Sequence, residues 1–259
     1  MNNPYSFLDT IKNQEYIPEW IPTSAMYYDG ILLEGVIEGY QTLSVSGREM
    51  ISVSIESQSV QVGSIITNQT LPSRVLTIKF KLYDRDSFKL QKKFDELKKY
   101  LYRKKDVPIR FNDELDKTYY GRFSSAEAVD GSTNSIVSSF DIFCADPRKY
   151  SEEYVSNGKI VTYTPYEVVP DSIKCTLAEG VGITVKNGSK QMKLMNSNLK
   201  KGDIVEFRPK NGDVLINGKD GTIYLSWADS NLEDFTITQG DNVTSSNGNL
   251  EIMYRTVML

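Results

Sequence analysis

Histidine is missing altogether from this chain of 259 residues. That absence excludes Ser-His-Asp and Cys-His nucleophile systems, His-ligated zinc or haem, and every mechanism in which an imidazole carries a proton. Cysteine is scarce. Cys144 and Cys175 lie far apart, so no CxxC redox or zinc motif exists. Each reads as a buried small hydrophobe, with a disulfide between them left open. No apolar run approaches the roughly 20 residues that span a bilayer. Residues 1–19 carry Asp9, Glu15 and Glu19 and no basic start, so no signal peptide is expected. The sequons at Asn68, Asn187 and Asn242 then read as chance matches. The phosphate loops GxGxxG and GxxxxGK(S/T) are absent, and so is the nucleophile elbow GxSxG.

What is present is a mildly acidic globular composition. There are 30 basic and 34 acidic side chains, a net charge of -4 and a pI near 5.1. Nucleic acid and anionic membranes demand clustered Lys and Arg, so neither is expected as the main partner. At 25% charged and 39% hydrophobic, the chain can fill one large domain or two ordinary ones. The charge is unevenly spread. Residues 1–60 hold eight acids and two bases, whereas residues 61–120 hold fourteen bases and eight acids. One reading is two solvated faces that partly neutralise each other within one fold. The other is complementary surfaces on neighbouring subunits. Under the second, Glu34, Glu38 and Arg48 from the first stretch and Lys92, Lys99 and Arg103 from the second are candidate subunit contacts.

Residues 1–30 are aromatic and proline-bearing, with Tyr5, Phe7, Tyr16, Trp20, Tyr27 and Tyr28 among Pro4, Pro18 and Pro22. The prolines forbid a long helix, and an extended arm lying across a surface is expected. From Gly30 onward the apolar period is two. Ile51, Val53 and Ile55 alternate with polar neighbours, as do Leu76, Ile78, Phe80 and Leu82. Val107, Ile109 and Phe111 follow, then Tyr119 and Phe123, then Ile136, Phe140, Ile142 and Cys144. These predict strands with one buried and one wet face. One stretch differs. Leu90, Phe94, Leu97 and Leu101 place an apolar stripe on a helix over 87–105, capped by Asp84, Asp86 or Ser87 and closed by Arg103, Lys104 and Lys105. Asp95 and Lys99 form an i,i+4 pair within it.

A boundary falls within 146–158, giving domains 1–150 and 151–259. Beyond it, short strands are punctuated by Asn187-Gly188, Asn211-Gly212 and Asn217-Gly218. Asn-Gly supplies the positive φ that hairpin turns need. The expected strands include Ile173 to Leu177, Ile183 and Val185, Met192 and Leu194, Val205 and Phe207, Val214 and Ile216, Phe235 and Ile237, and Leu250 to Tyr254. That texture predicts a β-sandwich. The fold class is therefore mainly β with one amphipathic helix.

Candidate chemistry is thin. Asp113, Glu114 and Asp116 cluster, and paired acids can hydrolyse glycosides, but the cluster lies in a polar turn where Asp is a turn former. Residues 213–224 imitate a calcium loop, yet Leu215 and Tyr224 occupy ligand positions. Composition and spacing stop at a structural or binding protein, with no catalytic, metal or cofactor residues.

Several ordered stretches resemble the distal tail protein (Dit) family of siphophages, the long non-contractile-tailed bacteriophages. They are Ser46-Gly47-Arg48, Arg74 to Leu82 with the helix after it, Pro108-Ile-Arg-Phe111, the acidic turn, Tyr119-Tyr120-Gly121-Arg122, and Phe140 to Pro147. In the second half they are Leu199 to Val205, Val214 to Lys219, Gly240-Asp-Asn242 and Leu250 to Arg255. The resemblance covers about residues 25–259. It implies an N-terminal β-barrel or sandwich-like ring domain and a C-terminal galectin-like β-sandwich, with the last strand returning toward the first domain. It also implies a structural hub without enzymatic activity: a hexameric ring at the end of the tail that joins the tail tube protein to the tail tip. Implied partners are copies of itself, the tail tube protein, a tail-tip or tail-associated lysin or fibre protein, and receptor-binding or baseplate proteins. DNA passes through without specific binding, no membrane is involved, and the location is the virion, with host cytoplasm during assembly. The rival is a carbohydrate-binding adhesion module using Trp227 and Tyr224, both of which read more readily as core.

Overall fold

The structure is a computed structural model that describes residues 20–129 and 134–259. The opening arm up to residue 19, with Tyr5, Phe7 and Tyr16, lies outside the described residues. The chain divides after Pro147, and Arg148–Leu259 forms a second compact unit.

The described residues of the first unit form nine strands: β1 (Met26–Tyr28), β2 (Ile31–Leu32), β3 (Tyr40–Ser46), β4 (Ser54–Ser59), β5 (Ser64–Thr70), β6 (Arg74–Tyr83), β7 (Val107–Phe111), β8 (Glu114–Ala126) and β9 (Ser135–Cys144). Seven of them pair in the order β2-β1-β7-β8-β9-β6-β3. The long β8 serves two neighbours in turn. Its first half pairs with β7, up to Gly121 opposite Val107, and its second half pairs with β9, from Arg122 opposite Phe143. Gly121 sits at that corner because a Cβ there would lie 2.7 Å from Cys144 Sγ and 2.8 Å from the Phe143 carbonyl. The inward residues of β6, Leu76, Ile78, Phe80 and Leu82, are buried with Phe140 and Ile142 of β9, as alternation requires. Part of the expected surface arm is core instead. Met26 and Tyr28 are fully buried in β1.

The described residues of this unit also form two helices, the single turn α1 (Leu33–Val36) and the longer α2 (Ser87–Leu101). Asp86 caps α2, its Oδ1 accepting from the Phe88 amide at 2.8 Å. Leu90, Leu97 and Leu101 are buried and Phe94 packs against the same core. The helix ends earlier than the 87–105 stripe predicted. Tyr28 donates its hydroxyl to the Leu101 carbonyl at 2.9 Å, and Arg103 turns back to the Lys99 and Tyr102 carbonyls at 3.2 and 3.1 Å. With those acceptors occupied and Tyr102 extended, Arg103, Lys104 and Lys105 lie beyond the helix. The expected Asp95–Lys99 pair is replaced by Asp95–Lys98 at 2.6 Å.

The second unit contains β10 (Lys149–Tyr150), β11 (Tyr154–Ser156), β12 (Ser172–Thr176), β13 (Val181–Asn187), β14 (Lys190–Asn196), β15 (Ile204–Arg208), β16 (Asp213–Ile216), β17 (Lys219–Asp220), β18 (Thr244–Ser245), β19 (Asn249–Tyr254) and β20 (Val257–Met258). One sheet runs β11-β19-β12-β15-β16-β17 and another β14-β13-β18. Ile183, Val185, Met192 and Leu194 from the smaller sheet share one core with Ile173, Cys175, Val205, Phe207 and Ile252 from the larger, which makes a β-sandwich. β20 pairs antiparallel with β10. Asn217 and Gly218 both have positive φ, 50° and 77°, as the hairpin of β16 and β17 needs. Phe235 and Ile237 are buried but form no strand. Ile237 makes only an isolated bridge to Val168, because tight turns flank the segment on both sides.

Candidate assembly surfaces

The hairpin β4–β5 departs most from expectation. Ile51, Val53 and Ile55 alternate, and a buried face was expected, yet every residue of both strands is exposed. Ile51 and Val53 precede the strand. Ile65 and Ile66 are each 59% exposed and face opposite sides, Ile66 opposite Ser57 and Ile65 opposite Gln58. Among the described residues the ribbon pairs only with itself. From residue 50 to residue 73, Glu56 is the sole charged side chain. A register shift between Glu56 and Ser57 marks a bulge, where Thr67 donates its hydroxyl to the Glu56 carbonyl at 3.1 Å. An isolated two-stranded ribbon is marginal in water, and exposed apolar surface of this kind marks an interaction site.

The hairpin leaves the sheet from a stiff root. Gly47 has φ 86° and packs so closely that a Cβ would lie 2.0 Å from the Val75 carbonyl. Its amide donates to Glu49 Oε2 at 2.7 Å, and Glu49's own backbone N–H together with that bond holds the Glu49 carboxyl below its usual range. Arg48 binds Asp113 through two bonds of 2.6 and 2.9 Å and lies 4.8 Å over the Phe111 ring. The hydrogen bond from Arg48 lowers the Asp113 pKa, and the same contact raises that of Arg48. Arg74, at the start of β6, donates to the Gly47 carbonyl at 2.6 Å.

The six charged positions selected from the sequence do not form one patch. Glu34 is only 1% exposed, so its side chain cannot reach a neighbouring subunit. Its Oε1 accepts from the Thr42 amide at 2.9 Å, because α1 turns it inward behind β3. Arg48 is held by Asp113. Glu38 meets Lys93 at 3.2 Å, and Arg103 meets Asp29 at 3.0 Å. Lys92 lies over Phe88, and Lys99 is exposed. Two of these pairs, Glu38–Lys93 and Asp29–Arg103, join acids of the 1–60 stretch to bases of the 61–120 stretch inside one unit, which favours neutralisation within the fold, whereas Arg48–Asp113 joins the minority charge of each stretch. Sequence reasoning missed Lys93, which bridges Glu38 and Asp84 at 3.2 and 2.7 Å. Its helical position facing β6 was the available signal.

The second unit presents a different surface. The sequence reads Trp227 and Tyr224 more readily as core, but they are 57% and 40% exposed. They sit in two short 3-10 turns, Thr222–Tyr224 and Trp227–Asp229, laid against β14 by the Leu194–Leu225 bridge and by Ser226 N–H donating to the Lys193 carbonyl at 2.9 Å. Leu225 fills the core and turns its neighbours outward. Lys193 and Asp229 pair beside Trp227 at 3.0 Å.

The acidic cluster is committed to structure. Asp113 holds Arg48, Glu114 accepts from the Tyr119 hydroxyl at 2.9 Å, and Asp116 pairs with Lys117. Cys144 and Cys175 are free thiols, each pushed by burial up to about 12, so neither is a ready nucleophile. Among the described residues no group of His, Cys, Asp and Glu is placed to hold a metal, and no helix is long and apolar enough to cross a membrane.

Comparison with known proteins accounts for both units. Residues 39–142 match the phage tail protein RIFT-related domain, and residues 164–257 match the siphovirus-type tail component C-terminal domain. The distal tail protein of Bacillus phage SPP1 is 27% identical over 207 residues, covering 75% of this chain and 81% of that protein. The crystal structure of SPP1 Dit, described as a paradigm of the hub adsorption apparatus in phages infecting Gram-positive bacteria, matches with a TM-score of 0.79. The match is 21% identical and covers 91% of this chain and 99% of that one, and it establishes likeness of fold. A chain of the phage P2 baseplate in its activated conformation matches with a TM-score of 0.50 at 8% identity, covering 83% of this chain and 90% of that one.

Proposed function

Because this chain belongs to the siphophage distal tail protein (Dit) family, we propose that it is a structural hub at the far end of a phage tail. In this reading copies close into a hexameric ring that joins the tail tube to the tail tip or adsorption apparatus and lets DNA pass. Residues 1–150 build the ring, and residues 151–259 carry the sandwich that meets further tail-tip, receptor-binding or baseplate proteins. Assembly takes place in the host cytoplasm. A ring requires heterologous contacts that close on themselves. The observation that carries the reading is the β4–β5 hairpin, which exposes Ile55, Ile65 and Ile66, carries almost no charge and has no partner layer within the described part of its own chain. A neighbouring copy supplies that layer. Of the six charged positions, Lys92 and Lys99 remain as contacts, since neither spends its charge on an ion pair described within the unit. An adaptor of this kind acts by being gripped and needs no catalytic group.

The test is to replace Ile55 and Ile66 together by Lys. Wild-type protein is expected to give annular particles in negative stain and a mass of several copies by light scattering. The double variant is expected to stay monomeric with an unchanged thermal transition. A variant that still forms rings, or a wild-type protein that stays monomeric and is missing from virions, sinks the proposal.

A second reading, adhesion to carbohydrate, is favoured by the exposure of Trp227 and Tyr224. An exposed indole offers a face on which a sugar ring can stack, and the Lys193–Asp229 pair beside it offers a donor and an acceptor. Binding on a glycan array that is lost in Trp227→Ala supports this reading, and an array without signal removes it.

A further inference from the structure

The root of the hairpin and the end of the first unit share one side chain. Arg74 is buried at the start of β6. Its Nη1 donates to the Gly47 carbonyl at 2.6 Å and to the Glu49 carbonyl at 3.1 Å, both at the entrance to the hairpin. Its Nε donates to the carbonyl of Pro147, the last residue of the first unit, at 2.9 Å. The guanidinium lies 5.8 Å from the Tyr119 ring centroid, and Nη2 is buried with no hydrogen-bond partner among the described residues.

We propose that Arg74 is a coupling residue, which makes the hairpin root and the chain's exit from the first unit move together. Three features support this. The guanidinium is a rigid plane, so its N–H groups cannot be re-aimed one at a time. A displacement of the Gly47 or Glu49 carbonyl tilts that plane and misaligns the bond to Pro147, because hydrogen bonds weaken steeply off axis. Burial adds cooperativity, since a guanidinium that has lost one acceptor has no water at hand to replace it. Gly47, Glu49 and the Arg48–Asp113 pair stiffen the root, so a pull on the ribbon reaches Arg74 instead of dissipating in a loose turn. The coupling belongs to the single chain. Its use, signalling to the second unit that the hairpin has been gripped, rests on the hub reading.

Amide hydrogen exchange on the free full-length chain tests the coupling apart from assembly. Glu49→Ala removes the carboxylate that closes the root and leaves every hydrogen bond of Arg74, including the one to the Glu49 carbonyl, and the exit in place. Exchange is expected to quicken by about tenfold in peptides covering 47–50 and also in those covering 145–149. Arg74→Lys, whose single ammonium cannot hold three carbonyls in a fork, is expected to quicken both, and adding Glu49→Ala to it is expected to change 145–149 no further. Faster exchange at 47–50 with wild-type exchange at 145–149 in Glu49→Ala overturns the proposal. If Arg74→Lys fails to fold, the Glu49→Ala result decides alone. Intact coupling in a chain that forms no ring would leave this inference standing and remove the hub.

Discussion

The stretch Ile51, Val53, Ile55 that leads into β4 and the strand β6 follow related apolar alternations in sequence and meet opposite fates. Leu76, Ile78, Phe80 and Leu82 in β6 are buried, while Ile55 in β4 and Ile65 and Ile66 in its partner strand stand in water. The difference lies in what surrounds each strand. β6 is paired on both edges, by β3 and β9, and its apolar face shares a core with α2. β4 has one partner, which is as exposed as itself. Alternation therefore specifies a strand and which of its residues share a face, and burial is decided by whether another layer arrives. At Ile55 the alternation ends on a face that no layer among the described residues covers.

The most damaging way to probe this contrast is to truncate the buried side. Ile78→Ala in β6 is expected to cost about 2–5 kcal/mol, from lost burial plus the cavity left behind. Ile66→Ala in the hairpin is expected to stay within about 0.5 kcal/mol of wild type. Urea unfolding of the two variants at equal protein concentration measures both. Equal destabilisation would mean that the hairpin packs on its own chain in solution.

A buried carboxylate gives the next largest effect. Glu34→Ala leaves the Thr42 amide without its acceptor in a place water does not reach, and about 1–3 kcal/mol is expected to be lost. Glu38→Ala, one turn away but exposed, is expected to cost under about 1 kcal/mol, as surface ion pairs do. Thermal melts of the pair show whether Glu34 belongs to the core or to the surface its charge implied.

How much of this was legible in the sequence follows from the same physics. β6, β9, α2 and most strands of the sandwich could be read because each signal was local: a period, a cap, or an Asn-Gly turn. The end of α2 was not, because it depends on Tyr28 reaching the Leu101 carbonyl from 73 residues away. The charge asymmetry was visible, but its meaning was not, since Arg48–Asp113 and Arg103–Asp29 pair residues distant in the chain. Trp227 and Tyr224 resembled core for want of any local sign that Leu225 alone would take the inward place.

The Arg48–Asp113 pair offers a weaker probe through pH. The native Asp113 pKa lies below its unfolded value, so the unfolded chain binds the proton more readily. The pair's stabilisation is therefore fully present above the ordinary aspartate range and is lost as pH falls through the depressed native value. Asp113 is partly solvated, so the gain is expected to stay under about 1 kcal/mol. Asp113→Asn should lower stability at neutral pH by that amount and leave it nearly unchanged once the wild-type carboxyl is protonated. Melting curves of both proteins should converge in acid. Curves that stay parallel would show that Arg48 is held by its contact with Phe111 and not by charge.

The smallest expected effect completes the contrast from the other unit. Leu225 and Trp227 are two residues apart, yet Leu225 is buried and Trp227 is not. Leu225→Ala is expected to cost about 2 kcal/mol or more by opening the sandwich core. Trp227→Ala is expected to fall within about 0.5 kcal/mol of wild type, although tryptophan is the larger side chain. That inversion of size and cost is the signature of a side chain kept for contact with something outside its own fold. A substantial loss of stability in Trp227→Ala would instead return the indole to the core and remove the surface on which the carbohydrate reading depends.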